Sequence, residues 1–407
     1  MTGPATPCPP AARLALTGRV VAPDGVLEHG VVVVEGDRVL WAGVAAEVPG
    51  PLRGGRVPAG WVPGRTILPG LVDTHCHGGA GGEFGPYAEG ARKAVEHHHR
   101  SGSTSVVGSL VSNTPARLLA GVATCAGLVR DGQLAGVHLE GPFLSIARRG
   151  AQNRDVLTDV DPALLGALVE AAAEAGAERA IVQMTYAPER PGGAGLPRLL
   201  AHQSIVPAVG HTDSDVDTAR AALRLGREVA PRGGRPLVTH VFNAMPPLHH
   251  RDPGPVAACL ERGAAGDAVL EVVGDGVHLD AGTVRMLFEV VGAQGLDLVT
   301  DAMAATGMAD GPSSLGGQDV LVSAGTARLA EGGSLAGGVS TLLDVVRWCV
   351  EEAGVSLADA VTAAATTPSR TLGLDDVGRL APGTFADLVV VDGDLRPLSV
   401  MRRGAWL

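Results

Sequence analysis

Between residues 71 and 303 the chain returns eight times to a short apolar run: LVDTHCHG, TSVVGSLV, AGVHLEGPF, AIVQMTYAPE, SIVPAVGHTD, PLVTHVFNAM, AVLEVVGDGVHL and DLVTDAM. Each run has the length of a strand. Each is continuous rather than alternating, as strands covered on both faces should be. Alanine- and leucine-rich stretches between them predict helices over 87–100, 115–129, 162–175 and 215–225. Asp161 ahead of Pro162 supplies an N-cap followed by proline at the first helical position. Eight strand-then-helix units predict a (β/α)8 TIM-like barrel in the α/β class. The competing topology, a doubly wound open sheet, lacks a GxGxxG opening a helix after a strand.

The two ends of the chain have a different rhythm. Residues 13–68 contain the β segments LALTGRVV and GVVVVEGDRVLWAG, followed by a Pro/Gly-rich run to RTILPG. The C-terminal stretch GRLAPGTFADLVVVDGDLRPLSVMRRGAWL resembles them. Gly and Asp punctuate both at turn positions. One small β domain built from both termini is expected, with residues 1–68 and 376–407 flanking a catalytic barrel over 69–375.

Composition narrows the picture. A length of 407 residues suits a large barrel plus an accessory domain. Hydrophobic residues are 45% of the chain and charged residues 18%, which excludes the disordered class. Thirty-two basic against 43 acidic residues leave a net charge of -11, which argues against nucleic acid as a partner. A phosphorylated small molecule stays open, because a single arginine can hold a phosphate whatever the global charge. The five cysteines, Cys8, Cys76, Cys125, Cys259 and Cys349, form no CxxC pair. Neither a disulfide framework nor a zinc ribbon is expected, and a cytoplasmic location fits. No signal peptide and no membrane span are expected, since no basic-then-apolar leader and no run of 18 uncharged apolar residues occurs.

Polar residues close the apolar runs. His75 and His77 follow the first strand, Glu140 the third, His211 the fifth, His240 the sixth, His278 the seventh and Asp301 the eighth. In a parallel barrel all of these lie on the C-terminal rim, where active sites are built. Glu140, His211 and His240 fit a three-ligand metal site with an open position for water. A divalent ion there (Zn, Fe, Mn or Co) would acidify that water. The pair His75 and His77 shares a strand face, so it either ligates a second ion or shapes the pocket. Cys76 between them should point away and pack. Asp301 reads as a base for the attacking water, a further ligand or a helix N-cap. His278 reads as a contact to substrate or metal.

Arg251 suits a bidentate phosphate contact or a solvated loop equally well. His97, His98 and His99 fall on successive helix positions that share no face and are read as surface. The glycines at 78, 79, 81 and 82 lack the Lys and Ser/Thr of a phosphate-binding P-loop and read as a mobile or close-packed loop.

The stretches PGLVDTHCHG, HLEGPFL, GHTDSD, THVFNAMPPLHHRDPG, GDGVHLD, TDAM and SLAGG resemble the N-acetylglucosamine-6-phosphate deacetylases, from about residue 13 to the C-terminus. The tail TTPSRTLGL with GRLAPGTFADLVVVD resembles the wider amidohydrolase superfamily. The resemblance implies a barrel with a β-sandwich from both termini, a homodimer, and hydrolysis of an amino-sugar phosphate to the free amine and acetate. It implies that Glu140, His211 and His240 hold the metal and that Asp301 is the base and then the acid. It further implies that Asn243, Ala244, Arg251, His278 and the turn Ala336, Gly337, Gly338 meet sugar and phosphate, part of the phosphate contact coming from the partner subunit.

Gln152 stands where many members carry a substrate-touching histidine. Its presence puts substrate orientation and sugar preference in question. The fourth run ends in MTYAPE without the lysine that other amidohydrolases carboxylate, which disfavours dihydroorotase-like and hydantoinase-like readings. Beside this stand a deacetylase of N-acetylgalactosamine 6-phosphate, an enzyme cleaving another amide, and a catalytically lapsed scaffold.

Overall fold

The computed structural model describes residues 13–407 apart from 24, 63, 232 and 233. Cys8 and the rest of residues 1–12 lie outside the described residues. The eight apolar runs form eight parallel strands: β1 (Val72–Cys76), β2 (Ser105–Val111), β3 (Gly136–Glu140), β4 (Ile181–Tyr186), β5 (Val206–Val209), β6 (Leu237–Val238), β7 (Val269–Val272) and β8 (Leu296–Leu298). Neighbours pair in sequence order from β1 to β8. The ring closes just beyond β8, where Asp301 N donates to His75 O at 2.9 Å and His77 N to Ala302 O at 2.7 Å. The fold is thus the predicted α/β barrel.

Helices follow the strands: α1 (Ala88–Arg100), α2 (Pro115–Arg130), α3 (Pro162–Glu174), α4 (Leu196–His202), α5 (Val216–Val229), α6 (Gly254–Ala264), α7 (Ala281–Val290) and α8 (Leu342–Glu351). Asp161 caps α3 as expected, accepting from Ala163 N and Leu164 N. The outward strand residues Val137, Leu139 and Leu270 pack on helix residues such as Leu118, Leu168 and Val284 in one continuous core. The barrel interior is layered. Val206, Ala208, Leu237 and Val269 make an apolar floor. Above it lie polar side chains, with His138 bonded to Ser109 and Thr185 at 2.9 and 2.8 Å. Gln183 of β4 reaches Glu271 of β7 at 3.2 Å, a contact between non-adjacent strands that runs across the interior.

Strands from both termini make one seven-stranded mixed sheet. Its order is Ala405–Trp406, Pro397–Arg402, Leu388–Val391, Thr66–Pro69, Leu14–Ala22, Gly25–Glu35, Arg38–Val44. The sheet wraps until its ends meet. A Cβ on Gly404 would stand 1.9 Å from Gly36 O, so the contact needs a residue without a side chain. Leu16, Val20, Val32, Ile67, Leu388 and Val390 fill its core. An element the pattern did not announce is the three-stranded sheet Gly311–Leu315, Gln318–Ser323 and Thr326–Leu329, inserted between β8 and α8. Among the described residues no helix is long and apolar enough to cross a membrane.

One local expectation needs amendment and one alternative is decided. His98 and His99 are buried, not on the surface. Helix α1 is covered on more than one side: His98 Nε2 lies 2.9 Å from Gly78 O and 3.2 Å from Cys76 Sγ, while His99 lies in a cleft beside Arg402 of the terminal sheet. A helix covered on several faces has no single solvent side for a histidine run. The glycine loop is close-packed: it forms the hairpin Gly78–Gly79 with Gly82–Glu83, and a Cβ on Gly82 would meet Gly90 O at 2.0 Å. Cys76 is buried and faces α1, as alternation required.

Candidate metal centre

The C-terminal ends of the strands deliver their polar residues to one cavity of about 270 Å³. It is lined by His77, Glu140, Gln152, His211, His240, Asn243, Ala244, His278, Asp301 and Gly337. His211, His240 and Asp301 adopt positive φ angles of 47°, 26° and 47° just past their strands. Non-glycine residues rarely hold that conformation, and it turns the side chains back over the barrel mouth.

Two trios of donors form there, Glu140 with His211 and His240, and His75 with His77 and Asp301. Glu140 Oε1 stands 3.0 Å from His211 Nε2 and 3.1 Å from His240 Nε2, and the two imidazole nitrogens are 3.1 Å apart. Donors bound to one ion at about 2.0–2.2 Å sit roughly 3.3 Å apart in a tetrahedral site, so this trio has the spacing for one ion. In the second trio Asp301 Oδ1 lies 3.2 Å from His77 Nε2 and 3.5 Å from His75 Nε2. Glu140 joins the trios, its Oε2 being 3.2 Å from His77 Nε2.

The far ring nitrogens set the tautomers. His211 Nδ1 faces Arg148 O at 2.9 Å, and His77 Nδ1 faces Ser109 O at 3.1 Å. A carbonyl can only accept, so in both rings Nδ1 carries a hydrogen and Nε2 is the nitrogen left to face the cavity. Among the described residues Nδ1 of His240 has no partner. The residues therefore fit a divalent cation on the chemistry and orientation of their donors.

The electrostatics agree. Burial pulls the His75 and His77 imidazolium ions down, but the surrounding carboxylates outweigh it and push the two up to about 9 and about 10. Glu271 leads for His75, and Asp301 and Glu140 for His77. Burial works to raise Asp301, yet His75 and His77 hold it well below the ordinary carboxylate range. Glu140 is likewise held down, chiefly by His211 against the cost of burial. Two buried carboxylates converging on one cavity make the field a cation answers.

The remaining sequence candidates divide. His278 lines the cavity with Nε2 3.9 Å from Asp301 Oδ2. Asp275 fixes its other nitrogen at 2.9 Å while also accepting from Val277 N and His278 N. Asn243 donates to His240 O at 3.2 Å, and Ala244 sits beside it at the cavity wall.

Gln152 faces the metal trio: its Nε2 donates to Glu140 Oε2 at 2.5 Å and its Oε1 accepts from Ser112 N at 2.8 Å. It thus steadies a candidate ligand. Gly337 lines the cavity, whereas Ala336 is buried behind it and Gly338 accepts Met303 N in the scaffold under Asp301. Arg251 does not line the cavity; it is exposed, with its guanidinium 2.9 Å from His250 Nε2. Glu271, Gln183, His138 and Asp275 were not singled out by the sequence, although a Glu inside AVLEVVG and an Asp three residues before His278 were the available signals.

A model of the amidohydrolase family matches residues 66–406. The N-acetylglucosamine-6-phosphate deacetylase of Lysinibacillus sphaericus is 32% identical over 343 residues, 82% of this chain and 83% of that protein. The N-acetylgalactosamine-6-phosphate deacetylase of Escherichia coli O157:H7 is 31% identical over 344 residues, 83% of this chain and 86% of that protein. A variant of the Mycobacterium smegmatis N-acetyl-D-glucosamine-6-phosphate deacetylase, solved in complex with N-acetyl-D-glucosamine-6-phosphate, matches with a TM-score of 0.88 at 37% identity, covering 97% of this chain and 99% of that one. With the barrel, the two donor trios and the strand-end aspartate in place, these likenesses make the chain a member of the amidohydrolase family and, within it, of the N-acetylglucosamine-6-phosphate deacetylases.

Proposed function

We propose that this chain hydrolyses the acetamide of N-acetylglucosamine 6-phosphate to glucosamine 6-phosphate and acetate. The observation that carries the reading is Asp301: an ionised carboxylate at the cavity mouth, 3.2 Å from His77 and on the same rim as Glu140, His211 and His240.

Glu140, His211 and His240 would hold one divalent ion, and His75, His77 and Asp301 a second; zinc, iron, manganese or cobalt suits such donors. When bound, the metal supplies Lewis-acid polarisation of the acetamide carbonyl and acidifies the attacking water. Asp301, kept ionised by its histidine neighbours, accepts the water's proton and then passes it to the departing amine nitrogen. His278, oriented by Asp275, stands where it can donate to the carbonyl oxygen as charge develops there. Asn243, Ala244 and Gly337 contact the sugar. Gln152 acts on orientation of the substrate through Glu140.

The exposed position of Arg251 is consistent with a homodimer in which the phosphate contact is completed between subunits. Free buried cysteines at 76, 125, 259 and 349 suit the cytoplasm. We take residues 1–68 and 376–407 as the β domain and 69–375 as the catalytic barrel.

The test is amine release from N-acetylglucosamine 6-phosphate, N-acetylgalactosamine 6-phosphate and unphosphorylated N-acetylglucosamine. Turnover is expected on the phosphorylated sugars, highest on the glucosamine epimer. A preference for the galactosamine epimer would reassign the substrate to the second kind of relative, and equal rates without phosphate would overturn the phosphate anchor.

A further inference from the structure

We propose that Glu271 is the positioning residue that commits His75 to metal binding, and through His75 decides whether the second ion is held. The inference rests on the two-ion reading above. Glu271 sits in the middle of β7, fully buried in the barrel interior. Its Oε2 lies 2.9 Å from His75 Nδ1 and 3.3 Å from His240 N. Its Oε1 lies 3.2 Å from Gln183 Nε2.

Two of these three partners can only donate. His240 N is a backbone N–H. The Gln183 amide is fixed with its NH2 toward Glu271, because the same Nε2 also donates to Thr74 O at 3.0 Å and a carbonyl cannot donate back. Both carboxylate oxygens are therefore acceptors, and the hydrogen of the His75–Glu271 bond belongs to Nδ1. His75 Nε2 is the nitrogen left to meet an ion, facing His77 and Asp301 at 3.1 and 3.5 Å. Where His77 and His211 use a backbone carbonyl for this purpose, His75 uses a buried side chain, so here the tautomer can be changed by mutation.

An amide at position 271 must present its NH2 either to His75 Nδ1 and His240 N together or to Gln183. Turned to His75, it makes Nδ1 an acceptor and moves the ring hydrogen to Nε2, removing the lone pair an ion needs. Turned to Gln183, it breaks the bond to Thr74 or leaves two donors facing each other.

The test is to strip the 407-residue chain with chelator, titrate it with Mn(II), and count bound ions by dialysis and elemental analysis. The apo unfolding temperature is measured in parallel. Wild type is expected to take two ions. Glu271→Gln should hold the ion of the Glu140 trio unchanged and bind the other about 10–100-fold more weakly, with the apo unfolding temperature kept. His75→Asn should lose the same ion, and adding Glu271→Gln to it should cost nothing more, because both changes act through one ring.

Wild-type second-ion affinity in Glu271→Gln overturns the proposal, as does an additive double variant or a parallel loss of both ions and of apo stability. A wild-type chain that takes a single ion overturns the two-ion reading itself, which is a separate outcome. Should Glu271→Gln not fold, Gln183→Leu, which removes the donor fixing Oε1, is expected to weaken the same ion, and an unchanged titration for it overturns the proposal equally.

Discussion

Asp301 is the residue on which the chemistry turns. Its carboxylate is buried, yet in the metal-free chain the positive charge of His75 and His77 holds it well below the ordinary carboxylate range, so it is ionised at neutral pH. Asp301→Asn keeps the size and hydrogen-bonding outline but cannot take a proton. Turnover is expected to fall by about 10²–10⁴-fold with the fold intact by circular dichroism; near-wild-type turnover would remove Asp301 from the role of base. The strand-end residues were legible because each closes an apolar run, and a parallel barrel sends all such ends to one rim. The residues behind them were not. Glu271, Gln183 and His138 interrupt apolar runs, and a single polar residue in a doubly buried strand says nothing about its partner. The partners come from non-adjacent strands, which only closure of the ring brings together. Gln152 was visible as a departure from a family pattern, but its bond to Glu140 could not be read from spacing.

At the scale of elements, helix α1 shows where periodicity misleads. Three consecutive histidines look like a solvated turn, but His98 packs beneath the glycine hairpin and His99 beside the terminal sheet. Burial pushes His98 down to about 4, and burial followed by the nearby Arg402 pushes His99 down to about 3. Both are neutral in the folded chain, while the same histidines titrate at about 6.5 in the unfolded chain. Their contribution to stability is therefore complete above that pH and is lost as pH falls from there toward the folded values. The metal-free chain should lose unfolding temperature between pH 7 and 4.5, and His99→Gln should lose less over that span; identical slopes would contradict the assignment. The three-stranded sheet over 311–329 was also missed, although Val320 and Val322 alternate with exposed neighbours in its middle strand. It belongs to the site: Leu315 lines the cavity, and Gln318 Nε2 donates to Ala151 O.

Across the whole molecule, the alternation of strand and helix was the most legible feature, because eight repeats average out local ambiguity. The split β domain was legible as two similar ends. How it grips the barrel was not. Arg402 donates to Thr104 O at 2.8 Å and to Gly132 O at 2.6 Å, tying the last long strand to the loops ahead of β2 and β3. The terminal sheet holds the bottom and flank of a barrel whose opposite rim carries the chemistry. That division leaves the central claim, metal-dependent deacetylation at the rim, open to one direct measurement. Acetate release from N-acetylglucosamine 6-phosphate is followed with the purified chain, after removal of divalent ions by chelation, and after their return. The account predicts that chelation abolishes release and that zinc, iron, manganese or cobalt restores it. Undiminished release from a chain shown by elemental analysis to be free of metal would contradict it.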